Sequence, residues 1–400
     1  MVHLDELKAK AEQVIRQAGP ELRDVSLSIH ANPELNFEEF HAHATLTAYL
    51  ERKGFAVEQG AYGMPTAFKA VAGQGGPTIA VLCEYDALPG IGHACGHNLI
   101  AISGLAAGLA LKETLPAGQG TVVVLGSPAE EGGGGKILLV ERGAFDGVAA
   151  AMMVHPAPAD AAYMNVLAID HVKVEYSGAN AHAAAAPWEG VNALDAMIQA
   201  FSAIGLMRQQ CLPTDRVHGV ITHGGLKPNI IPDYTAAEFY IRSRTRTELA
   251  VLREKVEAAL QGAGVAARCA TTIERPEDQR PYSDMIASDG MAAAYTENMR
   301  HFNLRFPTKQ QVLSGPGGST DMGDVSYAVP SIHPMFSIPT APGAGNHTPG
   351  FTASAAMPEA HDATLRAATG LASTGLDLFL KAGFLESVQA EFERSVRGKR

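Results

Sequence analysis

From Leu4 to Lys53 apolar residues recur at helical spacing. Leu4, Leu7, Ala11, Val14 and Ile15 share a face, and a second helix is predicted over Glu38–Lys53. Beyond Lys53 the rhythm changes to short apolar runs bounded by glycine. Thr78–Cys83 is predicted as a buried strand, Asn98–Leu115 as a helix and Thr121–Gly126 as a strand. Lys136–Arg142 then reads as a helix and Ala149–Val154 as a strand. This alternation predicts an α/β layer on a largely parallel sheet. After Ala168 the order differs. Strands are predicted at Val172–Tyr176, Val217–Thr222, Ala236–Ser243 and Ala267–Ile273, with helices at Asn192–Gln210 and Thr247–Gly262. That β-α-β-β-α-β order is the ferredoxin-like split motif, self-contained at about 110 residues. Beyond Pro281 helices and Gly/Pro loops resume, with long helices from Glu359 onward. The expected architecture is an α/β domain in two parts, residues 1–167 and 282–400, interrupted by an inserted α+β domain at 168–281.

Composition narrows the class. The 400 residues are 46% hydrophobic and 18% charged, a balance that excludes a disordered chain. A net charge of −11 has the wrong sign for binding nucleic acid or an anionic membrane. The longest uncharged stretch, Asn98–Leu111, is too short and too rich in Gly, Ala and Ser to span a bilayer. Asp5, Glu6, Lys8, Lys10 and Glu12 sit on a helical period, unlike a signal peptide. Four cysteines are too few for a disulfide scaffold. A soluble, cytoplasmic protein is expected.

Three segments gather unusual residues in loops after predicted strands. They are the run from Glu84 to Asn98, containing Tyr85-Asp86-Ala87-Leu88-Pro89 and His93-Ala94-Cys95-Gly96-His97; Pro128-Ala129-Glu130-Glu131 before four glycines; and His155-Pro156. Taken singly, each has an ordinary explanation. A lone Cys is usually a small core residue, as expected for Cys83, Cys211 and Cys269. A Glu-Glu pair is usually solvated, and a His before Pro is usually a turn residue. Together, at the carboxyl ends of strands where sites form, they offer thiolate, imidazole and carboxylate, the ligand set of zinc and similar ions.

These motifs resemble those of the two-metal amidohydrolases and peptidases related to aminoacylase and carboxypeptidase G. The closer similarity is to the branch of indole-acetyl-amino-acid hydrolases, aminobenzoyl-glutamate hydrolase and small-dipeptide hydrolases. Gly318-Ser319-Thr320-Asp321, Asn346-His347-Thr348-Pro349 and the early Asn32-Pro33-Glu34-Leu35 fit the same branch, so the likeness spans nearly the whole chain. The resemblance implies a zinc-peptidase-like catalytic domain with a mostly parallel sheet and an inserted ferredoxin-like lid. It further implies two divalent metal ions (zinc or manganese, with cobalt as a third choice) bridged by Cys95. His97 and His155 would complete one ion's ligands, and Glu131 and His347 the other's. Glu130 would be the general base and Asp86 would orient a ligand. In the lid, His182 would polarise the scissile carbonyl, while Asn229 and Arg242 would hold a substrate carboxylate. Relatives pair through this lid as homodimers, with the lid His reaching into the partner's site. The apolar residues of Asn192–Gln210 exceed one buried stripe and could supply part of that surface.

The chain departs from the family pattern at three places. Glu84-Tyr85-Asp86 stands where distant relatives have His-x-Asp, so one ligand role passes to His97. Asn98 stands where many indole-acetyl-type members have Asp, and Asp321 where many have a Glu-Asp pair. These differences lean towards the aminobenzoyl-glutamate and small-dipeptide side. The expected function is metal-dependent cleavage of an amide bond to a residue with a free carboxylate, in a dipeptide or an N-acyl amino acid. Two alternatives are a cysteine-nucleophile amidase, using Cys95 with His93 or His97 as base, and a non-catalytic metal-binding protein.

Overall fold

The structure is a computed structural model that describes residues 4–276 and 279–398. Residues 1–3 and 399–400, at the ends of the expected flanking segments, and 277–278, within the expected insertion, lie outside the described residues. The chain separates into two compact units, Met1–Asn165 with Met285–Arg400, and Val166–Asp284.

In chain order, the first unit opens with strands β1 (Ala56–Gln59), β2 (Phe68–Gln74), β3 (Thr78–Glu84), β4 (Gly120–Ser127), β5 (Val148–Met152) and β6 (His155–Ala157). The second unit holds β7 (Ala168–Ser177), β8 (Arg216–His223), β9 (Tyr234–Ser243) and β10 (Ala270–Glu274). The chain then returns to the first unit with β11 (Ser331–Ile332) and β12 (Met335–Ser337).

The discontinuous unit is built on a six-stranded sheet of order β1-β2-β4-β3-β5-β11. The β1/β2 and β2/β4 pairs are antiparallel, and the other three are parallel. Strand β3 is buried continuously from Ile79 to Glu84, which is why its sequence reads as an unbroken apolar run. The helix His97–Thr114 is buried at every position from His97 to Leu111. A helix apolar on all sides belongs in a core, and here the helices Leu4–Ala31 and Pro358–Leu380 both pack on it. It also lies close against β3, because a Cβ on Gly104 would fall 2.5 Å from the Cys83 sulfur. No helix among the described residues is long and apolar enough to cross a membrane.

The continuous unit is an antiparallel sheet of order β10-β7-β9-β8 with two helices, Ala193–Met207 and Arg246–Ala267. That order completes the ferredoxin-like arrangement. The Asn192 side chain caps the first helix by accepting from the Leu194 amide. A reciprocal Thr245/Glu248 capping box starts the second. Val172, Val174, Tyr176, Phe239 and Ile241 form the core with Ala196, Met197, Leu252 and Val256 of the helices. Cys211 and Cys269 are half-buried at the edge of this core, whereas Cys83 lies wholly inside the other one.

Candidate metal centre

The carboxyl ends of the parallel strands carry the three loops singled out in the sequence. Glu84 ends β3, Ser127 ends β4, and His155 follows β5 by three residues. Between Cys95 and His97 the chain turns through Gly96, at φ +79°, before entering the buried helix. A Cβ at Gly96 would sit 2.6 Å from Pro156 Cγ, so the glycine permits both the left-handed turn and the close approach of the His155-Pro156 segment. On the opposite rim His347 adopts φ +66° and donates its amide to the Ala94 carbonyl at 2.8 Å.

Seven expected residues converge within this unit. Asp86 organises two of them: its Oδ1 takes the His97 Nδ1 proton at 2.9 Å and its Oδ2 accepts from the Glu131 amide at 2.9 Å. His97 Nε2 is thereby turned inward, 3.8 Å from Glu131 Oε1 and 3.9 Å from Glu130 Oε2. His155 uses Nδ1 on the Pro156 carbonyl at 2.8 Å, leaving Nε2 3.4 Å from the Cys95 sulfur. His347 Nε2 lies 3.6 Å from Glu131 Oε2. Asn346 donates to the Pro156 carbonyl at 3.1 Å and bridges His347 to the Cys95 side of the site.

This donor set fits divalent ions. The ligand atoms of Cys95, His97 and His155 lie within 4.8 Å of one another, as do those of Cys95, Glu131 and His347. Cys95 is common to both groups. Among the described residues, His97 Nε2 and Glu131 Oε1 are buried without a hydrogen-bond partner, which suits them as cation ligands. Burial pushes the His155 pKa down to about 4, which keeps its imidazole a neutral donor. Burial, then the charges of Glu84, Glu131 and Asp321, push Glu130 well above the usual carboxylate range. Burial and the Glu131 carboxylate also push the Cys95 thiol up, the reverse of what a metal-free cysteine nucleophile needs.

The remaining expected residues lie in the other unit. His182 and Asn229 are brought together there: His182 bridges to Ile230, and the Ala183 amide donates to the Asn229 carbonyl at 3.1 Å. Both side chains are exposed. His182 Nδ1 accepts from the amides of Ala184 and Ala185 at 3.3 and 3.1 Å. Arg242 stands half-buried on β9, apart from that loop pair.

A third group was not anticipated. Glu84, His97 and Glu130 also place ligand atoms within 4.8 Å of one another. Glu84 contacts Lys136 Nζ, which in turn lies 2.7 Å from Asp321 Oδ1. All three side chains are essentially inaccessible.

Comparison with known proteins agrees with this architecture. A model of the peptidase dimerisation domain matches residues 168–267. The chain is 44% identical to the Xaa-Arg dipeptidase of Mus musculus, covering 98% of this chain and 93% of that one. It is 31% identical to a p-aminobenzoyl-glutamate hydrolase polypeptide from Escherichia coli, over 93% and 92%. Among solved structures, a dinuclear metal-binding peptidase of the M20 family from Bacillus subtilis superposes with a TM-score of 0.70 at 18% identity, covering 91% and 99%. An aminobenzoyl-glutamate utilization protein from Klebsiella pneumoniae gives 0.70 at 19%, covering 93% and 100%. These two matches show the shared fold.

Proposed function

We propose a substrate and a division of labour on the premise that this chain belongs to the M20 peptidase family. It is a metal-dependent amidohydrolase of the dipeptidase and N-acyl-amino-acid hydrolase kind, acting on C–N amide bonds. Within that class our reading is a dipeptidase for substrates ending in a residue with a free carboxylate and a cationic side chain. Similarity to the mouse Xaa-Arg dipeptidase over nearly the whole chain supports the substrate. The observation that carries the chemistry is the pair of ligand groups sharing Cys95, with buried Glu130 beside them.

In this reading Cys95, His97, His155, Glu131 and His347 would together hold two divalent ions, zinc, manganese or cobalt, with Cys95 common to both ligand groups. Ions held there would lower the pKa of a water and polarise the amide carbonyl. Glu130 accepts the proton of the attacking water and passes it to the leaving amine. The amide nitrogen acquires the proton as its bond to the acyl carbon breaks. Asp86 holds His97 and the Glu131 backbone in register. Because His182 Nδ1 accepts two amide protons, its own proton belongs on Nε2. From Nε2 it donates to the carbonyl oxygen as negative charge develops.

Arg242 holds the substrate carboxylate, and Asn229, which stands beside His182 and apart from Arg242, would join it from the partner subunit together with His182. Tyr240 and Glu238 alternate with Arg242 on the same face of β9, and a ring beside a carboxylate suits a cationic side chain. We also place the chain in a homodimer formed by the unit that matches the dimerisation domain, with His182 serving the partner's site. Strand β8 is the sheet edge and exposes Val220 and Ile221, while the adjoining helix exposes Ile198 and Leu206. Four free thiols favour the reducing cytoplasm.

The test is a hydrolysis screen of metal-reconstituted protein, with and without chelator. It covers dipeptides ending in Arg or Lys (β-alanyl ones included), dipeptides ending in Leu, N-acyl amino acids and aminobenzoyl-glutamate. The highest kcat/KM is expected on basic C-terminal residues, abolished by chelation. Turnover that survives chelation would overturn the metal roles, and a preference for aminobenzoyl-glutamate would overturn the substrate.

A further inference from the structure

Glu84 stands at the end of β3 with its two oxygens in different company. Oε2 lies 3.5 Å from His97 Nε2, on the side of the metal centre. Oε1 contacts the ammonium of Lys136. Lys136 sits in the first turn of the helix Gly135–Glu141, where a lysine ordinarily reaches solvent, yet it has no exposed surface. Its Nζ is 2.7 Å from Asp321 Oδ1, and its backbone amide donates to Asp321 Oδ2 at 2.8 Å. Burial alone would lift the Glu84 pKa, but the Lys136 ammonium and the neighbouring imidazoles bring it down to about 2.

An enclosed ammonium among carboxylates is costly to desolvate and is retained only where the pairing is close. Here the carboxylates are more numerous than the cation. Glu84 and Asp321 touch Lys136 directly, and Glu130 lies within ligand-forming distance of Glu84 and His97. Without Lys136 the cradle would hold three buried carboxylates, Glu84, Glu130 and Asp321, around the His97 edge of the site. In a protein that takes up divalent ions, such a cradle is itself a cation site. An ion entering it through Glu84, His97 and Glu130 would take His97 from its expected role and occupy the base.

We propose that Lys136 is a resident counter-cation that keeps Glu84 out of the metal ligand set, so that a divalent ion does not settle on Glu84, His97 and Glu130. Lys136 is thus a positioning residue. It touches neither substrate nor ions, and acts by fixing which of several adjacent carboxylates can bind metal. The inference rests on Glu130 as base and on the ligand set given above. Charge is the operative property, because the ammonium repels a second cation a few ångströms away and occupies the Glu84 oxygen that would complete a chelate.

The experiment counts metal on chelator-stripped protein reloaded with cobalt(II) and desalted, together with the visible spectrum of the bound cobalt. Lys136→Met is expected to bind cobalt with an altered spectrum and no gained equivalent, because the ion that His97 joins is drawn from the Cys95 thiolate towards Glu84 and Glu130. Glu84→Gln with Lys136 intact is expected to retain the wild-type count, since Glu84 is not a ligand. The double variant Glu84→Gln/Lys136→Met should return to the wild-type spectrum. An unchanged spectrum in Lys136→Met would overturn the proposal, as would the loss of an equivalent in Glu84→Gln. The Glu84→Gln arm stands even if Lys136→Met fails to fold. Glu131→Gln, run in parallel, separates the two readings: if it keeps all its cobalt, the assumed ligand set is at fault.

Discussion

Glu130 and Glu131 are adjacent, similarly buried and chemically identical, yet they face different partners. Glu131 is oriented towards His347 and has its amide tied to Asp86, whereas Glu130 is surrounded by the charges of Glu84, Glu131 and Asp321. Glu130→Gln is therefore expected to lower kcat by about 10²–10⁴, the usual worth of a general base, with metal content nearly unchanged. Glu131→Gln is expected to lose metal along with activity. Steady-state kinetics paired with metal analysis decides this, and more than about a tenth of the wild-type rate in Glu130→Gln would refute the base role. Cys95, His97 and Glu131 could be read because they lie in or beside glycine-rich turns after apolar strands, and His155 because it follows one; His347, far along the chain, is named only through the family resemblance. Lys136 could not be read that way. A lysine one residue into a helix looks solvated until the fold brings Glu84 and Asp321 around it, and Asp321 is 185 positions away.

Elements with a strong period were legible, and weakly patterned ones were not. Strand β3 and the helix His97–Thr114 have continuous apolar sequences that admit few other readings. Strands β1 and β2 escaped notice for different reasons. Three of the four β1 positions are exposed, while β2 buries Phe68, Ala70 and Ala72, whose alanines give little alternation in hydrophobicity. The long predicted helix Asn192–Gln210 ends as an α-helix at Met207 and finishes in a 3-10 turn. The turn before the buried helix is a point of vulnerability. Gly96→Ala combines a left-handed cost of about 1–2 kcal/mol with a contact of 2.6 Å to Pro156. It should lower the urea midpoint and weaken metal retention together; a midpoint equal to wild type would show that the turn relaxes freely. At the β8 edge, lysines in place of Val220 and Ile221 should block strand addition by a second copy. Light scattering is expected to show monomers for that double variant, and an undiminished dimer would place the interface elsewhere.

At the scale of the whole molecule, buried histidines make stability sensitive to acid. His43 and His361 are largely enclosed, and burial depresses both below their ordinary value of 6.5. The unfolded chain therefore binds more protons than the folded one as pH falls below about 6.5. Their contribution to stability is fully present above that pH and is lost as pH falls through the depressed folded values. Denaturant titrations of metal-free protein should show stability declining from pH 7 to pH 5, and His43→Gln should make that decline shallower. An unchanged slope in the variant would assign the acid sensitivity to other groups. The division of the chain into a continuous unit and one assembled from two distant segments also imposes an order on biosynthesis. The helix His97–Thr114 leaves the ribosome long before the helix Pro358–Leu380 that packs on it. At 5–20 residues per second, the intervening stretch of roughly 240 residues takes about 12–50 s to translate. Throughout that interval a helix that is buried on all sides in the finished fold lacks part of its cover, while the inserted unit, complete in sequence, is free to fold ahead of it. His347 is also made late, so the nascent chain offers four of its five candidate metal ligands well before the fifth. On the ligand set proposed above, the site can therefore be completed only once the C-terminal segment has been made.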